Sequence, residues 1–301
     1  MKVVLIDLDI DKGQTRRKRP FPNLALMKLS AYHKSLGHDV YLNFPLAGAD
    51  IVYASCVFTW HRNRLLDVPP DSYAGGPGLK LNRSLPYDVE HIMPDYSLYS
   101  GVDFSMGFTS RGCIRRCPWC SVPENEGHIK HWADFREFWN MRHNRLLLLD
   151  NNILADPEWR NTLSELGGLA LEVDFNQGLD IRLVTDEVAW HLRRIRTRKL
   201  RFAFDGLSYE NEMRRGFALL GKAGITKRHM SFYVLVGFGG DDTYMERMRI
   251  LYGLGVDVYP MLYKDEEGNE PNLEIDWGED IFWHGGRQNM RKFLRVAGRL
   301  K

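Results

Sequence analysis

Apolar positions in the first 60 residues change period twice. Residues 3–8 are a short apolar run with β-type composition, and a polar, basic loop carries the chain from there to Pro20-Phe21-Pro22. Residues 24–36 then place apolar side chains at helical spacing, with Asn23 directly before them and Gly37 directly after. Asn accepts hydrogen bonds from first-turn N–H groups and Gly tolerates a left-handed stop, so a capped helix is expected. Residues 39–43 and 51–58 are two further strand candidates. Strand, helix, strand, strand predicts a small α/β unit with a partly parallel sheet. Residues 61–100, rich in Pro, Gly, Asp and Asn and weak in periodicity, are expected to be a linker over the core.

From residue 102 strands alternate with helices. Strand candidates are 104–109, 146–149, 171–175, 200–204, 231–236 and 256–262, and helix candidates 133–141, 157–166, 186–196, 209–223 and 242–254. Pro157 sits where a first-turn proline is tolerated and Gly224 where a helix should stop. Six strands separated by five helices predict a parallel sheet that curls toward a barrel without reaching eight repeats.

Composition narrows the class. At 301 residues, with 44% hydrophobic and 27% charged content, the chain suits a soluble globular protein with one large core or one large and one small domain. No run approaches the roughly 18 apolar residues of a membrane span. The N-terminal run carries Asp7 and Asp9 and lacks a small-residue cleavage site, so it reads as a strand rather than a signal peptide. The net charge of +2 says little, but its distribution is uneven: residues 265–280 hold eight acids and no base, and residues 287–301 six bases and no acid. Two more basic runs lie at 16–19 and 193–201. Such runs are ordinarily solvated faces, and a nucleic-acid partner would require them to converge on one surface.

Candidate chemistry is concentrated in Arg111-Gly-Cys-Ile-Arg-Arg-Cys-Pro-Trp-Cys-Ser121, which contains three of the four cysteines. Thiolates at Cys113, Cys117 and Cys120 can wrap one iron–sulfur cluster, and three ligands in place of the usual four leave one iron open to a small molecule. A zinc site with His128 as fourth ligand uses the same atoms, although zinc sites usually pair cysteines in two knuckles. A disulfide framework does not fit three thiols crowded into one loop of so long a chain. The remaining thiol, Cys56, is expected in the core of the N-terminal unit, and with no further cysteines the chain can assemble only one cluster.

The Cys-x3-Cys-x2-Cys spacing with Trp119 before the last cysteine resembles the radical S-adenosylmethionine (radical SAM) superfamily. The resemblance implies a 4Fe-4S cluster on Cys113, Cys117 and Cys120, S-adenosylmethionine as co-substrate, a flavodoxin- or ferredoxin-like electron donor, a reducing cytoplasm, and a partial (β/α)6 barrel whose chemistry lies at the C-terminal strand ends. After the second barrel strand, Asp150-Asn151-Asn152 corresponds to the turn that holds the amino group of S-adenosylmethionine, there commonly Gly-Gly-Glu; the same residues can simply cap the next helix. After the third, Gln177, Asp180 and Arg182 would bring a guanidinium to the methionine carboxylate, or Asp180 and Arg182 form a structural ion pair. Asp205 follows the fourth strand toward ribose or substrate, and Gly237 follows the fifth beside adenine, where the lack of a side chain permits close approach. Trp119 would shield the cluster or only pack, and Arg111, Arg115 and Arg116 would raise its potential or be solvated.

Residues 22–40 resemble the first helix and second strand of the cobalamin-binding domain that precedes many radical SAM cores, and Gly75-Gly-Pro77 is similar to the loop after that domain's fourth strand. The segment is short and has no Asp-x-His-x-x-Gly motif, so a remnant without cobalamin is expected. The fold class is α/β, a small N-terminal Rossmann-like unit followed by a partial (β/α)6 TIM-type barrel. Expected boundaries are 1–80 for the cobalamin-binding-like unit, 81–101 for a linker, 102–263 for the barrel and 264–301 for a lid or capping segment containing Trp277, Trp283 and a basic helix over 288–300. The expected activity is reductive cleavage of S-adenosylmethionine followed by hydrogen abstraction, with a nucleoside or RNA the first choice of substrate, no membrane partner, and cobalamin-dependent methyl transfer the alternative.

Overall fold

The computed structural model describes residues 1–10, 21–44, 46–81 and 83–270. The basic run at 16–19, Trp277, Trp283, the expected basic helix and most of the expected lid lie outside the described residues. The chain forms two compact units, one of residues 1–107, 133–144 and 266–268, the other of residues 108–132, 145–265 and the described residues from 269.

In the first unit, β1 (Lys2–Asp7) pairs in parallel with β2 (Asp39–Leu42) and β3 (Ile51–Ser55), and β3 pairs in parallel with β4 (Tyr73–Gly75), giving the order β2-β1-β3-β4. Helix α1 (Leu24–Ser35) begins as the sequence predicts, with the Asn23 side chain accepting from the Leu26 N–H. Its Leu26 and Leu29 pack with Val3 and Leu5 of β1 and with Val89 of the one-turn helix α2 (Tyr87–Glu90). Cys56 is fully buried, and burial pushes its thiol up to about 11. The stretch expected to be a linker contains α2, β4 and a 3-10 helix over Thr59–Asp67. Strand β5 (Ser105–Gly107) also belongs to this unit.

The helix expected over 133–141 does not form; only a 3-10 turn, Phe135–Glu137, is present. Tertiary contacts override the helical periodicity there. The Asp134 carboxylate caps the Arg136 N–H, the Phe138 carbonyl accepts from the Tyr96 hydroxyl, and the Asn140 N–H donates to Ser105 Oγ at 2.9 Å. The Phe138 ring occupies the space that a Cβ on Gly107 would fill. The Asp134 cap would suit a helix start, but a continuous helix would disturb the contacts of Phe138 and Asn140 with Tyr96, Ser105 and Gly107.

The second unit contains a short antiparallel pair, β6 (Ser110–Arg111) with β7 (Lys130–His131), and between them the one-turn helix α3 (Val122–Asn125). Strands β8 (Arg145–Leu148) and β9 (Glu172–Phe175) are parallel, as are β10 (Leu200–Ala203), β11 (Met230–Val236) and β12 (Asp257–Leu262). A parallel bridge from Leu179 to Phe202 joins the two sets. Helices α4 (Trp159–Gly167), α5 (Asp186–Arg194), α6 (Glu210–Lys222) and α7 (Tyr244–Leu254) occupy the connections. Leu146, Val173, Phe202, Phe232 and Val234 of the strands and Leu163, Leu192, Met213 and Leu251 of the helices are buried, as expected for strands covered by helices. The basic run at 193–201 is largely paired: Arg198 with Glu172, Lys199 with Asp257 and Arg201 with Asp174, while Arg194 lies over the Trp190 ring. No helix of the described residues is long and apolar enough to cross a membrane.

Candidate metal centre

The three cysteines lie on the loop between β6 and β7, and geometry closes that loop at its neck. The Cys113 N–H donates to the Gly127 carbonyl at 3.2 Å. Gly112 adopts φ +83°, and a Cβ on it would lie 2.4 Å from the His128 carbonyl oxygen, so only glycine fits the crossing. Within the loop, Cys113, Cys117 and Cys120 are half-buried free thiols. All three line one cavity of about 400 Å³, together with Ile114, Arg116 and His128.

Groups from successive strand ends meet this loop. Asp150, directly after β8, is buried, and its Oδ1 accepts from the Thr109 and Ser110 hydroxyls at 2.7 Å each, as well as from both backbone N–H groups. Its carboxyl therefore anchors the start of the cysteine loop; burial nevertheless pushes its pKa up against those donors. Asn151 Nδ2 donates to Glu126 at 2.9 Å. Asn152 is 2% exposed, its Nδ2 lies 3.5 Å from Cys113 Sγ, and its Oδ1 is buried without a partner.

After β9, Asp180 receives two guanidiniums: Arg182 Nε at 2.6 Å and Nη2 at 3.0 Å, and Arg115 Nε of the cysteine loop at 2.9 Å. Burial alone would raise the Asp180 carboxyl, but hydrogen bonds and charge from Arg182 and Arg115 outweigh it and hold the group below its ordinary range. Arg182 also lies over the Tyr209 ring, 4.4 Å from its centroid. Gln177 is exposed on the turn before Asp180. After β10, Asp205 Oδ1 accepts the Leu235 N–H at 2.8 Å, and burial raises its pKa. Gly237 follows β11 with φ +84°. Beside it Phe238 meets Trp119 edge-on, centroids 5.7 Å apart, and Tyr263 after β12, centroids 4.9 Å apart.

The electrostatics match a site for a cationic group. Burial raises the Cys117 thiol, the negative charges of Cys120 and Cys113 raise it further, and Arg182 opposes them. Burial likewise raises Cys120, reinforced by Cys113, Glu126 and Asp205. A metal held by these thiolates would relieve that repulsion. Three thiols on one cavity beside an unpartnered buried amide oxygen fit a four-iron cluster held by thiolates.

Several groups here were not singled out from the sequence. Glu126 accepts from Gly112 N at 2.9 Å and Arg111 Nη1 at 3.2 Å. Arg247 of α7 is wholly buried and donates to the Phe204 and Leu235 carbonyls at 3.1 Å each. Glu126, six residues past Cys120, could have been found as the only acid near the loop's return besides Glu124; Arg247 sits mid-helix in an ordinary amphipathic pattern and gave no signal.

The sequence matches no protein-family model and no curated protein. Among solved structures, the fold matches the radical S-adenosylmethionine methyltransferase TsrM of Kitasatospora setae, solved with cobalamin and a 4Fe-4S cluster bound, with a TM-score of 0.59 at 12% identity, covering 86% of this chain and 74% of that one. The match is a likeness of fold: the α/β architecture with several parallel sheets resembles that of this radical SAM protein.

Proposed function

We propose that this chain is a radical SAM enzyme whose second unit is a partial (β/α)6 barrel. The observation that carries the reading is the convergence of Cys113, Cys117 and Cys120 on one cavity, with Asn152 against Cys113 and Asp180, Arg182 and Asp205 at neighbouring strand ends. A 4Fe-4S cluster bound there would supply the electron that splits S-adenosylmethionine into methionine and a 5'-deoxyadenosyl radical able to abstract hydrogen. The chain's own residues hold and orient. The thiolates of Cys113, Cys117 and Cys120 would hold such a cluster, and with only three of them an open position would remain for the amino acid end of S-adenosylmethionine. Arg182, with Nε and Nη2 committed to Asp180, keeps Nη1 for a carboxylate. Asn152 Oδ1, already desolvated, suits an ammonium donor. Trp119, Phe238 and Tyr263 form an aromatic wall for adenine.

Anaerobically reconstituted protein given reductant and S-adenosylmethionine is expected to release 5'-deoxyadenosine; none formed by fully loaded protein refutes the enzyme reading. The substrate screen begins with modified nucleosides compared between hosts with and without the gene. A cobalamin-dependent methyltransferase is the second reading. Two observations favour it: the matched structure holds cobalamin, and the first unit is a parallel sheet in the order β2-β1-β3-β4, whose reversal of strand order between β1 and β3 is where such sheets bind ligands. Retention of hydroxocobalamin through gel filtration supports this reading, and complete separation rejects it.

A further inference from the structure

Glu126 lies at the neck of the cysteine loop, at the C-terminal end of α3, with its side chain 20% exposed. Its carboxylate gathers three donors from two parts of the unit. Oε1 accepts from Arg111 Nη1 at 3.2 Å; Oε2 accepts from the Gly112 N–H and from Asn151 Nδ2, both at 2.9 Å. Arg111 and Gly112 immediately precede Cys113, and Asn151 belongs to the turn after β8. The residue beyond it, Asn152, touches Cys113 Sγ. One carboxylate therefore fixes the cysteine loop against the strand-end turn at the point where loop and turn share a contact with a ligating sulfur. It also sets a negative charge within electrostatic reach of Cys120.

We infer that Glu126 positions the cysteine loop for its cluster and lowers the cluster's reduction potential. The inference rests on the cluster reading above. Reduction adds an electron to the cluster, so a fixed anion nearby disfavours the reduced form. A low potential is what donation of an electron to a sulfonium requires. A carboxylate whose charge was fully neutralised by its Arg111 partner would brace the loop and leave the potential unchanged.

The test compares wild-type, Glu126→Gln and Glu126→Ala proteins, each reconstituted with iron and sulfide under anaerobic conditions. Iron and sulfide per chain, loss of iron to a chelator, and the midpoint potential from an EPR-monitored titration are measured, with circular dichroism of the metal-free proteins to confirm folding. Glu126→Ala is expected to weaken cluster retention by about 10- to 100-fold, the usual loss for an outer partner of a metal ligand. Glu126→Gln keeps an oxygen acceptor and the side-chain shape but not the charge. It is expected to retain more iron than the alanine variant and to titrate at a more positive potential than wild type. A wild-type potential in Glu126→Gln overturns the inference even if Glu126→Ala loses iron, since a bracing role alone gives that pattern. Wild-type retention in Glu126→Ala overturns it as well. Failure of the wild-type protein to take up a cluster refutes the underlying reading, and the inference falls with it.

Discussion

Replacing Gly112 by alanine puts a single methyl group at the crossing of the cysteine loop. At φ +83° an L-residue costs about 1–2 kcal/mol. The added Cβ would lie 2.4 Å from the His128 oxygen and 2.7 Å from the Gly127 oxygen, both main-chain atoms that cannot swing away. Relief requires the neck to open, which forfeits the Cys113 to Gly127 hydrogen bond, about 0.5–1.5 kcal/mol, and overpacking of this kind adds about 1–3 kcal/mol. The whole comes to about 2.5–6.5 kcal/mol. Gly127 supplies the control: its φ is +75°, but a Cβ there meets nothing within 4 Å, so Gly127→Ala should cost only about 1–2 kcal/mol of conformational strain. Urea unfolding of the metal-free proteins measures both losses, provided the m-value is unchanged. Iron uptake should fall further in Gly112→Ala than in Gly127→Ala. Equal destabilisation by the two substitutions would refute the close crossing and with it the account of how the loop is held.

Arg247→Met should destabilise the protein by about 3–5 kcal/mol, because it strands the Phe204 and Leu235 carbonyls and leaves Asp205 and Asp241 without their buried cation; a loss below about 1 kcal/mol in urea unfolding contradicts this. His33 is held below its ordinary 6.5 by burial and by the neighbouring His38, and it bonds His38 Nδ1 and the Tyr53 hydroxyl. The unfolded chain then binds the extra proton first, so stability should fall as pH drops below about 6.5 toward the folded value, and His33→Asn should flatten that slope. In metal-free protein at pH 8, iodoacetamide should modify Cys113, Cys117 and Cys120 well before the fully buried Cys56, whose thiol lies near 11, and mass spectrometry reads the order directly.

Where local signals and long-range packing agreed, the sequence was a good guide. Four consecutive leucines before Asp150 marked β8, and Asn23 and Gly37 marked the ends of α1 because caps are local chemistry. The segment 133–141 misled because its apolar spacing suits a helix, whereas its actual partners, Tyr96, Ser105 and Gly107, are distant in sequence and pull it into turns. Asp150 shows the same limit at the site. Its position after β8 was legible, but its direction was not. Thr109 and Ser110, some 40 residues earlier, take up its carboxylate, and Asn152, two residues on, is the group in contact with a cysteine. The basic run at 193–201 left a solvated face and a polyanion partner both open, and only the fold brings Glu172, Asp257 and Asp174 to Arg198, Lys199 and Arg201.

The central claim is that one loop holds one iron–sulfur cluster with an open iron. Its most direct measurement is the iron and sulfide content of the anaerobically reconstituted protein, followed by the EPR spectrum of the reduced form before and after S-adenosylmethionine is added. About four irons and four sulfides per chain are expected, with a spectrum that changes when S-adenosylmethionine binds and loss of both in Cys117→Ala. Stoichiometric zinc with no sulfide, or a full cluster whose spectrum S-adenosylmethionine leaves unchanged, would contradict it.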